Sequence, residues 1–368
     1  MAKNQNLWKV AAGIGIMLAA RAIIRQSRNY DVKGKNVLIT GGSRGLGLVL
    51  ARQLAQQGAN LAICARDADE LNRARQDLAE HGAKAFTFTC DLTVQSEVEN
   101  MVKQVREHFG DIEVLINNAG VIQVGPFENM SLKEYEEAMQ THFYAPLYTI
   151  LAVAPDMQRR RHGRIVNIAS FGGKVSAPHL LPYCASKFAL VGFSRGLRSE
   201  LAKDGIRVTT VCPGLIRTGS PRNVIVKGNH QAEYAWFKQG DSLPFLSISA
   251  EKAASQIINA MKYGDAELVI TVPAKVASIV DELFPEFSAD MLSLVNRTLP
   301  APVSDDGSNQ RLRGYESESE SSQTGFSRLS DLAAERNNEI PGNPPSRAED
   351  AWPNFTPAGG HNPPGDSI

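Results

Sequence analysis

Apolar residues along this chain occur in short, nearly continuous runs separated by longer amphipathic stretches. Segments such as Leu46–Leu54 and Val94–Val105 place apolar residues at i, i+3 and i+4, the spacing of a helix with one buried face. The runs rich in Val, Ile and Leu predict strands at Asn36–Thr40, Asn60–Ala65, Ala83–Thr89, Ile112–Ile116, Arg164–Ala169, Arg207–Cys212 and Glu267–Thr271. Because strands buried on both faces are apolar at successive positions, this alternation predicts a single α/β domain over residues 34–300, a doubly wound parallel sheet between helices.

Residues 1–30 form a separate apolar segment. The run Val10–Ala20 continues past Arg21 into Ala22–Ile24, which is shorter than the ~20 residues needed to cross a bilayer. We favour an apolar helix that associates with the membrane surface; a short span, a packed N-terminal helix and a cleaved signal peptide are the alternatives. Basic residues after the run would keep the rest of the chain on the cytoplasmic side: Arg21, Arg25, Arg28, Lys33 and Lys35.

Residues 301–368 have a different composition, rich in Pro, Ser, Gly, Glu and Asn, with 11 acidic and 5 basic residues. So few apolar side chains cannot offset the entropy of ordering the chain. The composition therefore predicts a disordered, acidic C-terminal tail.

Charge and cysteine content exclude some classes of function. The formal net charge is +0, which gives no reason to expect a nucleic-acid partner. The four cysteines lack CxxC spacing, so we expect neither a disulfide framework nor a metal site.

A glycine-rich turn follows the first predicted strand and precedes a helix. Gly41 permits a tight turn, Gly45 allows the backbone to approach a pyrophosphate, and Gly47 allows the helix and strand to pack closely. Ser43 and Leu46 lie in the same turn. A strand, such a turn and a helix N-terminus together indicate a Rossmann-type site for a dinucleotide.

The second predicted strand ends in Ala65 and Arg66, where an NAD-binding site would place a carboxylate. Arg66 and Arg44 can instead pair with a ribose 2′-phosphate, because a guanidinium binds phosphate through two parallel hydrogen bonds. The sequence thus favours NADP(H), with two ordinary surface arginines as the alternative.

Tyr183 and Lys187 are four residues apart in the helical segment Pro182–Leu201, so they share one helix face. A tyrosine that transfers protons near neutral pH needs its pKa lowered by ~3 units, about 4 kcal/mol, and a neighbouring ammonium does this. Ser170 ends a predicted strand, at the edge where doubly wound sheets bind ligands. Its hydroxyl could hold the reacting oxygen while Tyr183 handles the proton.

These residues resemble those of the short-chain dehydrogenase/reductase family. The resemblance covers residues 34–271 and rests on five motifs in order: the Thr40–Gly47 turn, Asp91 with Leu92, Asn117–Gly120, Ser170 with Tyr183 and Lys187, and Pro213 with Gly214 and Thr218. It implies reversible carbonyl reduction with a nicotinamide cofactor.

The resemblance also assigns residues to the cofactor. The adenosine side would be lined by Asp91, Leu92, Asn118, Ala119 and Gly120. The nicotinamide side would be bordered by Pro213, Gly214, Ile216 and Thr218, with Tyr183 and Lys187 at the nicotinamide ribose. A helix cap at Asp91 and a plain turn at Asn117 are the alternatives.

One position departs from the family pattern. Where the family usually has an asparagine that binds a water in a proton relay to the lysine, this chain has His142. A neutral imidazole can also accept and donate, so we expect His142 to join the relay. The departure equally supports an alternative function, a noncatalytic NADP-binding sensor or scaffold.

The segment Leu215–Phe245 would form a substrate lid, and its aromatic residues suggest a hydrophobic carbonyl or alcohol as substrate. Packing of those aromatic residues against the domain is the alternative. A homodimer and a homotetramer are both left open.

Overall fold

The computed structural model describes residue 15, residue 17 and residues 19–242, 247–304, 309–323 and 327–340. Within these, strands β1–β12 are Asn36–Thr40, Asn60–Ala65, Ala85–Thr89, Val114–Asn117, Gln123–Val124, Gly163–Ile168, Ile206–Pro213, Leu215–Arg217, Ile225–Val226, Ser247–Ser249, Glu267–Ile270 and Leu312–Arg313. The α-helices α1–α12 are Gly45–Gln56, Ala68–Glu80, Gln95–Phe109, Leu132–Met139, Ala145–Arg160, Leu181–Leu201, Ser220–Asn223, His230–Ser242, Ala250–Tyr263, Val272–Leu283, Pro285–Asn296 and Ser327–Arg336.

Seven strands form one parallel sheet in the order β11-β7-β6-β4-β1-β2-β3. The predicted strands and the doubly wound parallel sheet are thus confirmed, with end positions that differ by at most two residues. β1 shows why the sheet needs two covering layers, since all five of its residues are buried. A run of this kind cannot leave either face in water.

Alternate residues of β1 enter two separate cores. Val37 and Ile39 pack with α1, α2 and α9, whereas Leu38 packs with α3 and α5 on the opposite face. The period-2 geometry of a strand sends successive side chains to opposite faces, so one short strand anchors both layers.

The helices α4 and α5 are joined by a π-helical turn over Gln140–Tyr144. Such turns are rare and are found mostly at functional sites. This one carries His142, which is fully buried.

At the N-terminus, residues 19–26 are helical. A turn at residues 27–28 follows and leads to Asn29. Arg25 fixes the end of this helix by pairing with Asp265 at 2.8 Å and stacking on the Tyr263 ring, 4.1 Å from its centre. None of the helices among the described residues is long and apolar enough to span a membrane. Residues 10–14, 16 and 18 of the predicted apolar run, and residues 1–9 before it, lie outside the described residues.

Part of residues 301–368, for which composition predicts disorder, has regular secondary structure among the described residues. β12 pairs with β9, and α12 buries Ala334 and Ser330 against the domain. Composition missed this because the segment adds to an existing core through hydrogen bonds and ion pairs rather than building a core of its own. Residues 305–308, 324–326 and 341–368 lie outside the described residues.

Candidate active site

The carboxyl ends of the central strands meet at one edge of the sheet. β1 lies between β2 and β4, so the chain leaves β1 toward one side and returns to the other. At such a switch point the loops diverge and open a crevice, which is where doubly wound sheets bind ligands. The segments that follow β1, β2, β3, β4, β6 and β7, together with the π-helical turn of His142, carry the residues that the sequence singled out.

The turn after β1 has the tight geometry that its glycines predict. Gly41 and Gly45 have φ of +63° and +54°, the left-handed region that favours glycine. A Cβ at Gly41 would lie 2.9 Å from Cα of Ala119, and one at Gly47 would lie 2.0 Å from the carbonyl oxygen of Gly41. Side chains at these positions would close the cradle.

Glu70 of α2 holds two residues of this turn. It pairs with Arg44, and its Oε2 accepts a 3.0 Å hydrogen bond from Oγ of Ser43. Arg66 follows β2 and is exposed. A ribose 2′-phosphate near Arg66 would therefore compete with Glu70 for Arg44, an ion pair that sequence reasoning missed.

The residues after β4 hold the glycine turn in place through hydrogen bonds to Thr40 and Gly41. Asn118 Nδ2 donates to the carbonyl oxygens of Thr40 and Gly41 at 3.1 and 3.0 Å, and the Asn118 and Ala119 amides donate to Oγ1 of Thr40. The backbone of Gly120 lies next to His142 and Lys187, because a Cβ there would lie 3.3 Å from His142 Nε2 and 3.8 Å from Lys187 Nζ.

Asp91 and Leu92 follow β3, as expected, but Asp91 also acts locally. Its Oδ1 accepts hydrogen bonds from N and Oγ1 of Thr93 at 3.0 and 2.8 Å, so it orders the loop before α3. This capping contact and a contact with adenosine can coexist, since a carboxylate has four acceptor positions.

Tyr183 and Lys187 lie on α6, one turn apart, with Lys187 Nζ 5.7 Å from the centre of the Tyr183 ring. Lys187 is buried and donates a 2.9 Å hydrogen bond to the carbonyl oxygen of Ile168, the last residue of β6. Burial lowers the pKa of the Lys187 ammonium from 10.5 to about 7.

Ser170 follows β6 and its Oγ accepts a 3.0 Å hydrogen bond from the Gly172 amide. A Cβ at Gly172 would lie 3.1 Å from Cε1 of Tyr183, so the loop brings the serine and tyrosine segments together. The structure thus gathers Ser170, Tyr183 and Lys187 at the carboxyl end of β6.

His142 lies against the same cluster, with its ring 5.3 Å from that of Tyr183. Its Nε2 accepts a 3.1 Å hydrogen bond from the Val121 amide, which leaves Nδ1 protonated and 2.7 Å from Oγ of Ser186. Burial, and then the charge of Lys187, lower its pKa well below 6.5, so the ring is neutral. Sequence reasoning missed Ser186, which donates onward to the carbonyl oxygen of Tyr183 at 2.8 Å.

The loop after β7 forms the opposite wall. Pro213 ends β7, and a Cβ at Gly214 would lie 2.6 Å from Oγ1 of Thr271, so this backbone packs tightly. Ile216 is in β8, which pairs with β10, and Thr218 Oγ1 is 2.6 Å from Oγ of Ser220.

Most of the predicted lid packs into the fold. Tyr234 is buried, and Trp236 Nε1 donates to Glu233, whose carboxylate also contacts Nδ1 of His179 at 2.9 Å. Phe245 lies outside the described residues. Among the residues that the structure describes, no His, Cys, Asp and Glu side chains cluster as a metal site would require.

A cleft of about 700 Å³ lies between the loop that precedes α6 and the end of α11. Its lining includes Phe127, His179, Leu181, Leu292 and Leu299. Leu181 precedes Tyr183 by two residues on α6, and Ser170, Tyr183, Lys187 and His142 are not among the lining residues.

Comparison with known proteins agrees with this geometry. The family model described as short chain dehydrogenase matches residues 35–226. A putative ketoacyl reductase of Streptomyces coelicolor is 39% identical over 183 residues, which is 49% of this chain and 70% of the relative. Human estradiol 17-beta-dehydrogenase 11 is 29% identical over 266 residues, 70% of this chain and 82% of that protein.

A crystal structure of an actinorhodin polyketide ketoreductase variant with NADPH superimposes with a TM-score of 0.58 and 30% identity, over 64% of this chain and 95% of the other. The chain therefore belongs to the short-chain dehydrogenase/reductase family. Its members are oxidoreductases that use a nicotinamide cofactor.

Proposed function

We propose that the protein is an NADP(H)-dependent oxidoreductase that interconverts a hydrophobic carbonyl compound and its alcohol. The observation that carries this proposal is the convergence of Ser170, Tyr183 and Lys187 beside a glycine cradle at the switch point of the sheet. A noncatalytic sensor would have no need of this proton-transferring group.

The cradle suits the cofactor. The backbone at Gly41 and Gly47 has no room for side chains, Gly45 has a left-handed φ that favours glycine, and the N-terminus of α1 favours an anion. A carboxylate, that of Glu339, already lies against Gly45 and stands in for such an anion. When bound, NADPH supplies the hydride that reduces the carbonyl carbon.

The chain's own residues control the proton and the oxygen. Ser170 Oγ holds the carbonyl oxygen, and Tyr183 Oη gives it a proton during reduction and takes one during oxidation. The Lys187 ammonium favours the phenolate of Tyr183 and would bind the nicotinamide ribose. The apolar lining of the cleft that includes Leu181, two residues before Tyr183, supports a hydrophobic substrate.

Cofactor preference tests the first part of the proposal. We expect NADPH to bind at least tenfold more tightly than NADH, about 1.4 kcal/mol, because Arg66 and Arg44 pair with the 2′-phosphate. Arg66→Ala should reduce this ratio and change NADH affinity little, whereas Arg75→Ala, at an exposed position of α2, should preserve it. Titration of nicotinamide fluorescence measures both affinities. Equal affinity of the parent for NADPH and NADH would refute the arginine assignment.

His142 tests the second part. A proton relay through its ring requires a nitrogen that can exchange partners, and both nitrogens already have protein partners. We infer that a relay operates only if one of these bonds opens; otherwise His142 positions α6 through Ser186.

His142→Asn should retain substantial turnover, because an amide can also accept and donate. His142→Leu should lower kcat ten- to a thousandfold, roughly 1.4–4 kcal/mol, since it leaves the Val121 amide without an acceptor. The measurement is kcat per folded protein across pH 6–9, with melting curves of each variant. If kcat is unchanged in a folded His142→Leu protein, the histidine takes no part in proton transfer and only packs in the fold.

We further propose that the N-terminal segment holds the protein at a membrane surface, on its cytoplasmic side. The apolar run before Arg21, and the exposed side chains of Met17, Ile23 and Ile24, support this. Deleting residues 1–20 spares Arg25 and its ion pair with Asp265. We expect the deletion to move the protein from sedimented vesicles to the supernatant without weakening NADPH binding. Full-length protein that stays in the supernatant would contradict this.

A further inference from the structure

Residues 327–340, here called the docked segment, end on top of the glycine turn. The Gly45 amide, at the start of α1, donates a 2.9 Å hydrogen bond to the carbonyl oxygen of Asn337. Asn338 Nδ2 donates to the carbonyl oxygens of Ser43 and Glu70 at 2.8 and 3.0 Å. Main-chain groups of the cradle are therefore in use by the chain itself.

Glu339 crosses the crevice between its two walls. Oε1 accepts a 2.7 Å hydrogen bond from the Gly219 amide, and Oε2 accepts one at 3.2 Å from Nδ2 of Asn223. On the other wall, a Cβ at Gly45 would lie 3.0 Å from the same Oε1. Burial raises the pKa of this carboxyl to about 7, and Arg44 opposes the shift. A carboxylate buried at a helix N-terminus takes the position that suits a phosphate.

Specific contacts hold the segment in place. Arg52, itself buried, pairs with Asp77 and donates from Nη1 to Oδ1 of Asn337 at 2.9 Å and from Nη2 to the carbonyl oxygen of Arg336 at 2.9 Å. Arg73 Nε donates to Oδ1 of Asn338 at 2.7 Å. Hydrogen bonds with charged donors are among the stronger kinds, so this docking is selective for Asn337 and Asn338.

We propose that Asn337, Asn338 and Glu339 form an intramolecular competitor for the pyrophosphate of NADP(H), so that cofactor binding requires the segment to leave the cradle. This inference rests on the proposed function, because it assigns a regulator to the same site. The Gly45 amide cannot serve a peptide carbonyl and a phosphate together. Two anions at one helix N-terminus also repel each other.

The docked segment weakens cofactor binding by an amount that depends on the fraction of molecules in which the segment is released. The apparent dissociation constant rises in inverse proportion to that fraction, so one released molecule in ten weakens binding tenfold. NADPH and NADH share the pyrophosphate, and the segment should weaken both alike. The ratio that tests Arg66 is therefore independent of it.

The test compares NADPH affinity, by nicotinamide fluorescence, in the full chain and in two shorter forms. A chain that ends at Gln323 lacks the segment, and we expect it to bind NADPH at least tenfold more tightly. The matched control ends at Ile340 and retains the segment; its affinity should equal that of the full chain. A peptide of residues 324–340, added to the shorter form, should weaken NADPH binding again.

Point variants guard against a folding defect in the truncated chain. The double variant Asn338→Ala/Glu339→Ala, in the full chain, should also tighten NADPH binding, whereas Glu335→Ala, at an exposed position of α12, should not. Melting curves check that each protein is folded.

Two outcomes would overturn the inference while leaving the proposed function intact. An NADPH affinity of the truncated chain equal to that of the full chain would show that the segment does not compete. Weaker binding after truncation would show that the segment completes the cofactor site. A shorter form that binds the peptide but neither NADPH nor NADH would instead refute the proposed function, and the competition with it.

Discussion

Replacing Tyr183 by Phe is expected to lower kcat by a factor of about 10²–10⁴, the range that general acid–base catalysis contributes. The variant removes the hydroxyl that exchanges a proton with the substrate oxygen. It keeps the ring, which packs against His142, so the fold and NADPH affinity should be almost unchanged. The measurement is NADPH oxidation with a panel of hydrophobic ketones and aldehydes.

Tyr148→Phe provides a matched control, because it removes a hydroxyl from a partly buried tyrosine on α5. It should leave kcat near that of the parent. If Tyr183→Phe reduces carbonyls as fast as the parent does, another group supplies the proton and the catalytic assignment fails. A parent protein that binds NADPH but reduces no member of the panel would favour the sensor alternative.

Replacing Lys187 by Met is expected to lower kcat strongly and, at the same time, to stabilise the folded protein. Turnover should fall by about 10²–10⁴, because Tyr183 loses the ammonium that favours its phenolate. Stability should rise near pH 6, because a buried ammonium is replaced by an uncharged side chain of similar length. The lost hydrogen bond to Ile168 reduces this gain by about 1 kcal/mol.

The pH dependence gives the sharper measurement. The pKa of Lys187 is lowered by burial to about 7 in the folded chain, against 10.5 when exposed. Between these values the unfolded chain binds a proton that the folded chain does not, so stability rises as pH increases from 7 to 10.5. Below pH 7 the buried charge costs at most about 5 kcal/mol.

Denaturant unfolding at pH 6, 8 and 10 should show this rise in the parent and a flatter profile in Lys187→Met. Lys103→Met, which changes an exposed lysine on α3, should keep the profile of the parent. Identical profiles in the parent and Lys187→Met would show that the folded lysine keeps an ordinary pKa. Such a lysine could not be the buried group described above.

The sequence by itself predicted the strands of the seven-stranded sheet. Apolar runs such as Val37–Ile39 of β1 leave water on both faces only when helices cover both sides of the sheet. It also located the glycine turn and the residues Ser170, Tyr183 and Lys187, because these stand at strand ends and at helical spacing. A local sequence pattern is enough to predict a residue's place in the fold where backbone geometry or periodicity constrains the residue type.

Only the tertiary structure decided which partners those residues meet. The pairing of Arg44 with Glu70, the bonds of His142 to Val121 and Ser186, and the docking of Glu339 at Gly219 join residues 21 to 120 positions apart. Composition predicted disorder where Glu339 lies, because it measures how much apolar surface a segment can bury alone. It carries no information on the polar groups, such as Arg52 and the Gly45 amide, that a folded domain presents to that segment from elsewhere in the chain.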